Sequence, residues 1–138
     1  MIVQISKARP DDFEQLTDLL ATLFTQEAEF APNRESQLAA LKTIVGNPQT
    51  GEITVARRDG RCIGMVLILY TISTALGGCV GILEDMIVAE DCRGQGVGRE
   101  LITTAIERAR DNGCQRVSLL THSDHLNAHL FHRSPGFS

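Results

Sequence analysis

No apolar run in the 138 residues approaches the ~20 needed to cross a bilayer, so no membrane role is expected. The opening Met1-Ile2-Val3-Gln4-Ile5 has neither the basic region nor the long apolar stretch of a secretory signal, and reads as a first strand. The expected compartment is the cytoplasm. Cys-x-x-Cys pairs are also absent. Cys62, Cys79, Cys92 and Cys114 are widely scattered, which argues against a disulfide framework and predicts mostly buried thiols. Excess positive charge is missing too: a net charge of −4 gives no field for holding a polyanion, so nucleic acid is not an expected partner. Repeats, low-complexity tracts and linkers are lacking, and the chain reads as one domain over residues 1–138, long enough to bury roughly two thirds of its unfolded surface.

What is present alternates between helix and strand periods. After the first strand, Arg9-Pro10-Asp11-Asp12 punctuates, and Phe13, Leu16, Leu20, Leu23 and Phe24 recur at helical spacing. A second helical stretch, about Glu35 to Val45, puts Leu38, Leu41 and Val45 on one face and stops at Gly46-Asn47-Pro48. Ile53 to Arg57 and Cys62 to Ile72 flank Asp59-Gly60, a hairpin signal. A third apolar run, Val80 to Val88, places Ile82, Glu84, Met86 and Val88 on one strand face, with Asp85 on the other. Val97, Leu101, Ala105 and Ala109 mark a long amphipathic helix ending at Asn112-Gly113; Arg116 to Thr121 reads as a strand and Asn127 to Arg133 as a short helix. The order β-α-α-β-β-β-α-β-α predicts an α/β fold of the α+β mixed kind, with a central mixed sheet flanked by helices.

The densest chemical signal is Arg93-Gly94-Gln95-Gly96-Val97-Gly98-Arg99, between the strand ending at Val88 and the helix beginning near Gly96. Glycines let backbone N–H groups approach an anion closely, and a helix's first turn offers unpaired donors and the positive end of its dipole. A pyrophosphate fits such a loop, with Arg93 and Arg99 adding charge-assisted contacts. A Walker loop would require Gly-Lys-Ser/Thr, and here Gly98 is followed by Arg99 and Glu100. The dinucleotide fingerprint would require Gly or Ala where Arg99 stands.

Arg93-x-x-Gly96-x-Gly98, preceded by Met86-Ile87-Val88 and opening a long helix, resembles the acetyl-CoA motif of the GNAT superfamily of N-acetyltransferases. The element order and the Ala128-x-x-Phe131-His132-x-x-x-Gly136-Phe137 ending extend the likeness over nearly the whole chain, and Leu83 to Val88 leading into Arg93-Gly94 is most similar to the diamine acetyltransferases. The resemblance implies a GNAT fold with a mostly antiparallel sheet, acetyl-CoA as co-substrate, and a small-molecule primary amine, such as a polyamine, as acceptor. It implies that Met86, Ile87 and Val88 present backbone groups to the pantetheine arm and that Gly94 to Arg99 hold the pyrophosphate. An amine arrives mostly as ammonium and must lose a proton before it attacks, and the resemblance gives that work to Glu84.

Three departures from the family pattern stand out. His132 occupies the place of a tyrosine that protonates the departing thiolate; an unperturbed histidine loses its proton near pH ~6.5 against ~10 for tyrosine, so it is the weaker acid above neutrality. An asparagine usual seven residues earlier is replaced by His125, with Asn127 nearby as the remaining cofactor contact. The chain stops at Ser138, lacking the family's final strand, and a homodimer that supplies a strand is the expected remedy. A non-catalytic acyl-CoA-binding module is the alternative function. His122, His125, His129 and His132 would share one side of a continuous helix, a third reading as a metal site, though no metal is expected.

Overall fold

The computed structural model describes residues 3–26, 33–120 and 127–132. The first strand is β1 (Gln4–Lys7), and a single 3-10 turn at Pro10–Asp12 leads into α1 (Phe13–Gln26). The second helix, α2 (Arg34–Gly46), starts at Asn33, whose side-chain oxygen accepts from the Ser36 N–H at 3.0 Å and so satisfies one donor of the first turn. The hairpin of β2 (Gly51–Arg58) and β3 (Arg61–Ser73) turns on Asp59 and Gly60, both left-handed at φ 53° and 80°, the conformation a two-residue turn of matching twist requires. β4 (Gly78–Val88) returns antiparallel to β3, α3 (Val97–Asp111) crosses over, and β5 (Arg116–Leu120) lies parallel to β4.

Among the described residues the sheet holds six strands in chain order, β1-β2-β3-β4-β5-β6, with β4 and β5 the one parallel pair. The mixed, mostly antiparallel sheet flanked by helices is as expected. The last element is a correction. Asn127–His132 forms β6 rather than a helix, running antiparallel to β5 from Leu120↔Asn127 to Arg116↔His132. Six residues are too few for a helix to hold itself in water, whereas pairing to β5 gives each its ladder bonds. The outer side of β5 is therefore met by the chain itself. Gly136 and Phe137, the pair that leads into a final strand in the family pattern, lie outside the described residues, as do His122 and His125.

The two sheet faces are covered by different helices. Leu16, Leu19 and Leu20 of α1 are buried on one side, and Val97, Leu101, Ala105 and Ala109 of α3, all four of the predicted stripe, are buried on the other. Position 64 lies directly under α3: a Cβ there would meet Leu101 Cδ1 at 2.9 Å and Val97 Cγ1 at 3.5 Å. That contact marks which residues of β3 and β4 face α3.

A buried ion pair anchors the start of α1 to the sheet. The Arg57 guanidinium on β2 donates through Nε to Asp12 Oδ1 at 3.2 Å and through Nη2 to Asp12 Oδ2, and also reaches Ser6 Oγ and the Lys7 carbonyl. Asp12 further accepts from the Arg9 N–H at 2.8 Å, and both charged side chains are more than nine-tenths buried. Burial alone would raise the Asp12 carboxyl. The bonds from Arg57 and Arg9 and the guanidinium charge outweigh it and bring the carboxyl below its ordinary value.

Asp12→Ala leaves Arg57 buried without its partner and should cost about 3–5 kcal/mol, read as a lower urea midpoint at unchanged slope. The same link sets acid behaviour. With the folded-state pKa depressed, the pair's contribution is complete above the unfolded carboxyl value of ~3.9 and is lost as pH falls through the folded value. Stability of the unaltered protein should thus drop below about pH 4, and Asp12→Ala should flatten that part of the profile.

Candidate functional site

β4 is paired on both sides for only part of its length. Its register with β5 covers Gly81↔Val117, Ile82↔Ser118 and Leu83↔Leu119, and among the described residues β5 reaches only Leu120 while β4 runs on to Val88. On the other side β3 stays paired throughout, but with a bulge: Leu67 faces Asp85 and Ile68 faces Leu83, so Glu84 is the extra residue. The bulge and the end of β4–β5 pairing fall at one point. Bulges bend a strand, increase its twist and re-aim side chains, all of which help two neighbouring strands part.

The bulge also overturns the expectation that Ile82, Glu84, Met86 and Val88 share one face. Beyond the bulge, Met86 and Val88 lie against α3, where a Cβ on Gly98 would meet them at 3.6–3.8 Å. Before it, Ile82 and Val80 line a recess with Thr71, Ser73 and Ser118, on the face away from α3. An extra residue shifts the period-2 alternation by one, which no reading of spacing alone detects. Glu84 at the shift point is half-buried; Asp85 next to it is 8% exposed, on the same side as Ile87.

Backbone polarity along the free edge follows from the ladder. The Ala89 N–H bonds the Ile63 carbonyl at 2.7 Å, which makes Ile63↔Ala89 a bonded pair. Alternation then points the backbone groups of Ile87 and Asp85 at β3, and those of Met86 and Val88 toward the side that β5 has left. Val88 confirms the direction: its carbonyl accepts from Arg93 Nε at 3.1 Å. Of the three residues expected to offer backbone groups to a pantetheine arm, Met86 and Val88 point theirs away from β3 and Ile87 points its own at β3.

The glycine loop closes the mouth of this wedge. After a 3-10 turn at Glu90–Cys92, Gly94 and Gly96 adopt φ 80° and 84°, and Gly96 is the N-cap of α3. A glycine cap has no side-chain acceptor, so the first-turn N–H groups stay available to an external anion beside the positive end of a 15-residue helix. Arg93, Gln95 and Arg99 are exposed around the loop, while Val97 is buried beneath it. One more cation joins them from 37 residues away: Arg58, at the end of β2, donates to Gln95 Oε1 at 2.8 Å. Nothing local in the sequence signals that contact. Asp91 beside the loop is already engaged, held by two bonds from Arg61 at 2.8 Å that bring its carboxyl down to about 2.

β6 carries the remaining candidates, and its register separates them. Asn127 pairs with Leu120, one step past the last β4–β5 pair, so it is level with Glu84. His132 pairs with Arg116 at the closed end. From Glu84 it is displaced by about 13 Å along the strands and about 10 Å across two of them. The chain's single tyrosine, Tyr70, is also at the closed end: it pairs with Gly81 and its hydroxyl accepts from Asn112 Nδ2 at 2.9 Å. Burial pushes that phenol up to about 12. Among the described residues no group of three or more His, Cys, Asp or Glu is placed to hold a metal ion, and His129 and His132 stand on a strand rather than a helix.

Residues 13–137 match the model of the Acetyltransferase (GNAT) family. The chain is 24% identical over 136 residues to the aminoalkylphosphonate N-acetyltransferase of Salmonella typhimurium, covering 99% of this chain and 85% of the relative. It is 25% identical over 109 residues to an aminoglycoside N(6')-acetyltransferase of Stenotrophomonas maltophilia, covering 77% and 71%. Among solved structures, an integron cassette protein from the mobile metagenome of Cole Harbour Salt Marsh superposes with a TM-score of 0.79 at 26% identity, covering 86% of this chain and 77% of that one.

The two loop glycines should respond oppositely to alanine. Gly96→Ala forces a Cβ into the left-handed region and should lower stability by about 1–2 kcal/mol. Gly98→Ala meets only ordinary contacts with Met86 and Val88 and gains helix propensity, up to about 1 kcal/mol. Paired thermal melts decide it; equal losses at both positions would contradict the loop geometry.

Proposed function

The chain belongs to the acetyltransferase (GNAT) family and is an acetyl-CoA-dependent N-acetyltransferase; we propose that its acceptor is the primary amine of a small charged molecule, and that Glu84 takes the proton of that amine. The observation that carries the reading is the coincidence at one wedge of a free strand edge at Met86 and Val88, an uncapped helix N-terminus at Gly96, and a half-buried carboxylate at the bulge.

Each part has its task. The backbone groups of Met86 and Val88 offer an amide ladder that a pantetheine arm extends like an added strand. The N–H groups of the first α3 turn, with Arg93 and Arg99, suit a pyrophosphate, and Arg58 holds Gln95 in the loop wall. Asn127, level with the wedge, is the cofactor contact on the far side. Acetyl-CoA supplies the activated thioester. Glu84 accepts the ammonium proton, directly or through one water, which leaves the nitrogen lone pair free to attack.

No tyrosine stands near the wedge and His132 is at its closed end, so a side-chain acid for the departing sulfur is not assigned. The requirement is mild, because a thiol of pKa ~8.5 leaves as thiolate near neutrality. The same observation favours the second reading, a module that binds acyl-CoA without turnover. The acceptors named by the relatives are an aminoalkylphosphonate and an aminoglycoside; a polyamine is the third class that a charged-amine site admits.

Calorimetric titration with acetyl-CoA, followed by thiol release against polyamines, aminoalkylphosphonates and aminoglycosides, tests both readings. Micromolar binding with amine-dependent release is expected, and binding without release for any amine would leave the non-catalytic module standing. Glu84→Gln should lower kcat by roughly 10²-fold or more and leave acetyl-CoA affinity within about twofold. An unchanged kcat would remove Glu84 from the chemistry.

A further inference from the structure

The closed end of the wedge brings together two thiols that the sequence keeps 35 residues apart. Cys79, in the second position of β4, and Cys114, between α3 and β5, have their Sγ atoms 3.1 Å apart. That is about 1 Å longer than a disulfide bond of about 2.05 Å. None of the four cysteines is disulfide-bonded here.

Both backbones are fixed where they meet. Helix α3 is closed off by Gly113 at φ 88°, whose N–H bonds the Arg110 carbonyl while the Cys114 N–H bonds the Ala109 carbonyl, a closure that ties the Cys114 backbone to the helix end. The next residue, Gln115, donates its N–H to the Cys79 carbonyl at 2.9 Å. Gly81 has no side chain to separate the segments, and a Cβ there would stand 3.8 Å from Cys114 Sγ. Exposure is divided between the partners: Cys79 is half-buried and Cys114 fully buried. Cys62 and Cys92, by contrast, have no cysteine partner among the contacts of the described residues: Cys62 bonds Asp12, and Cys92 lies beside Arg58 and Asp91.

We propose that Cys79 and Cys114 form an oxidation site, in which a small hydroperoxide converts the thiol pair to a disulfide that staples β4 to the α3–β5 connection. The Cys79 thiolate attacks the peroxide oxygen; the S–O bond forms, the O–O bond breaks, and the alkoxide or hydroxide leaves with a proton as alcohol or water. The Cys114 sulfur then attacks Cys79 sulfur, the S–S bond forms, the S–O bond breaks, and the departing hydroxide takes the Cys114 proton as water. Two thiols lose two electrons and one peroxide gains them. The half-buried member meets the oxidant and the buried one resolves it.

The test oxidises the purified full chain with hydrogen peroxide and reads the intact mass and, without reductant, the peptide map of a combined trypsin and chymotrypsin digest, which cuts between Cys62, Cys79 and Cys92. A loss of 2 Da, reversed by dithiothreitol and mapped to a Cys79–Cys114 linked peptide, is expected. The oxidised form should melt higher by roughly 10 °C, since the bond closes a long loop in the unfolded chain. Cys79→Ser and Cys114→Ser should each abolish the mass loss, and Cys62→Ser should not. Overoxidation of Cys79 to a sulfinic acid without the 2 Da loss, a bond mapped to Cys62 or Cys92, or disulfide-linked dimers would overturn the proposal. The mass map of the unaltered protein decides even if a variant fails to fold.

Discussion

A strand that loses one neighbour partway along its length must find other partners for its backbone groups, and β4 does so from Glu84 onward. From Gly81 to Leu83 it is held by β3 and β5 together; past that point β3 is its only paired neighbour among the described residues. Orphaned N–H and C=O groups in a sheet interior are costly, so the gap invites water, a side chain or a ligand with amides of its own. Arg93 already takes one of these groups, the Val88 carbonyl, from the far side of the loop. The topology brings the helix to the same place. A crossover between parallel strands starts at the C-terminal end of the first, so the positive end of α3 necessarily sits at the mouth of the gap rather than at its closed end. Phosphate affinity and free strand edge coincide because one connection generates both.

The rest of the molecule holds the two ends of that wedge with different contacts. At the closed end, the Gln115 N–H to Cys79 carbonyl bond, the Asn112–Tyr70 bond and the helix-ending closure at Gly113 pull α3, β4 and β5 together. On the opposite face, Asp12 and Arg57 tie the beginning of α1 to β1 and β2, and Gln15 Oε1 accepts from the Cys62 N–H at 2.8 Å, tying the same helix to β3. These last contacts lie at the level of the mouth, since Arg57 pairs with Cys62 and the neighbouring Ile63 carbonyl takes the Ala89 N–H. There the Arg58–Gln95 and Arg61–Asp91 bonds also hold the loop, so both ends of the wedge have a fixed frame.

Local chemistry in the sequence was enough for the elements that local chemistry controls. Asp59-Gly60 marked a hairpin because few residues adopt two successive left-handed conformations, and Val97, Leu101, Ala105 and Ala109 marked the buried stripe of α3 because that face has only one period. The loop from Arg93 to Arg99 was legible for the same reason: its glycines and its place before a helix are neighbours in the chain. What stayed hidden depends on distant partners. The Glu84 bulge is defined by how β4 counts against β3, so alternation read along β4 alone put Ile82 on the wrong side. Asn127 to Arg133 read as a short helix from the chain alone, and pairing with β5 decided otherwise for Asn127–His132. Arg58 against Gln95, Asp12 against Arg57 and Cys79 against Cys114 are separated by 37, 45 and 35 residues, and no window along the chain contains both members.

The bulge reconciles two demands on neighbouring carboxylates. A regular strand would set Glu84 and Asp85 on opposite faces, each with the exposure of its face, and would carry β4 flat past the end of β5. Inserting one residue at Glu84 lets the alternation restart, so Met86 and Val88 pack under Gly98 and close the floor of the loop while Asp85 is buried with Ile87. Glu84 is left half-buried at the bulge, next to the last β4–β5 pair among the described residues. A proton acceptor placed there is close to a substrate lying along the strand without being sealed under a helix. Geometry of this kind, more than any feature of the carboxylate itself, is what distinguishes Glu84 from Asp85 as the proposed base.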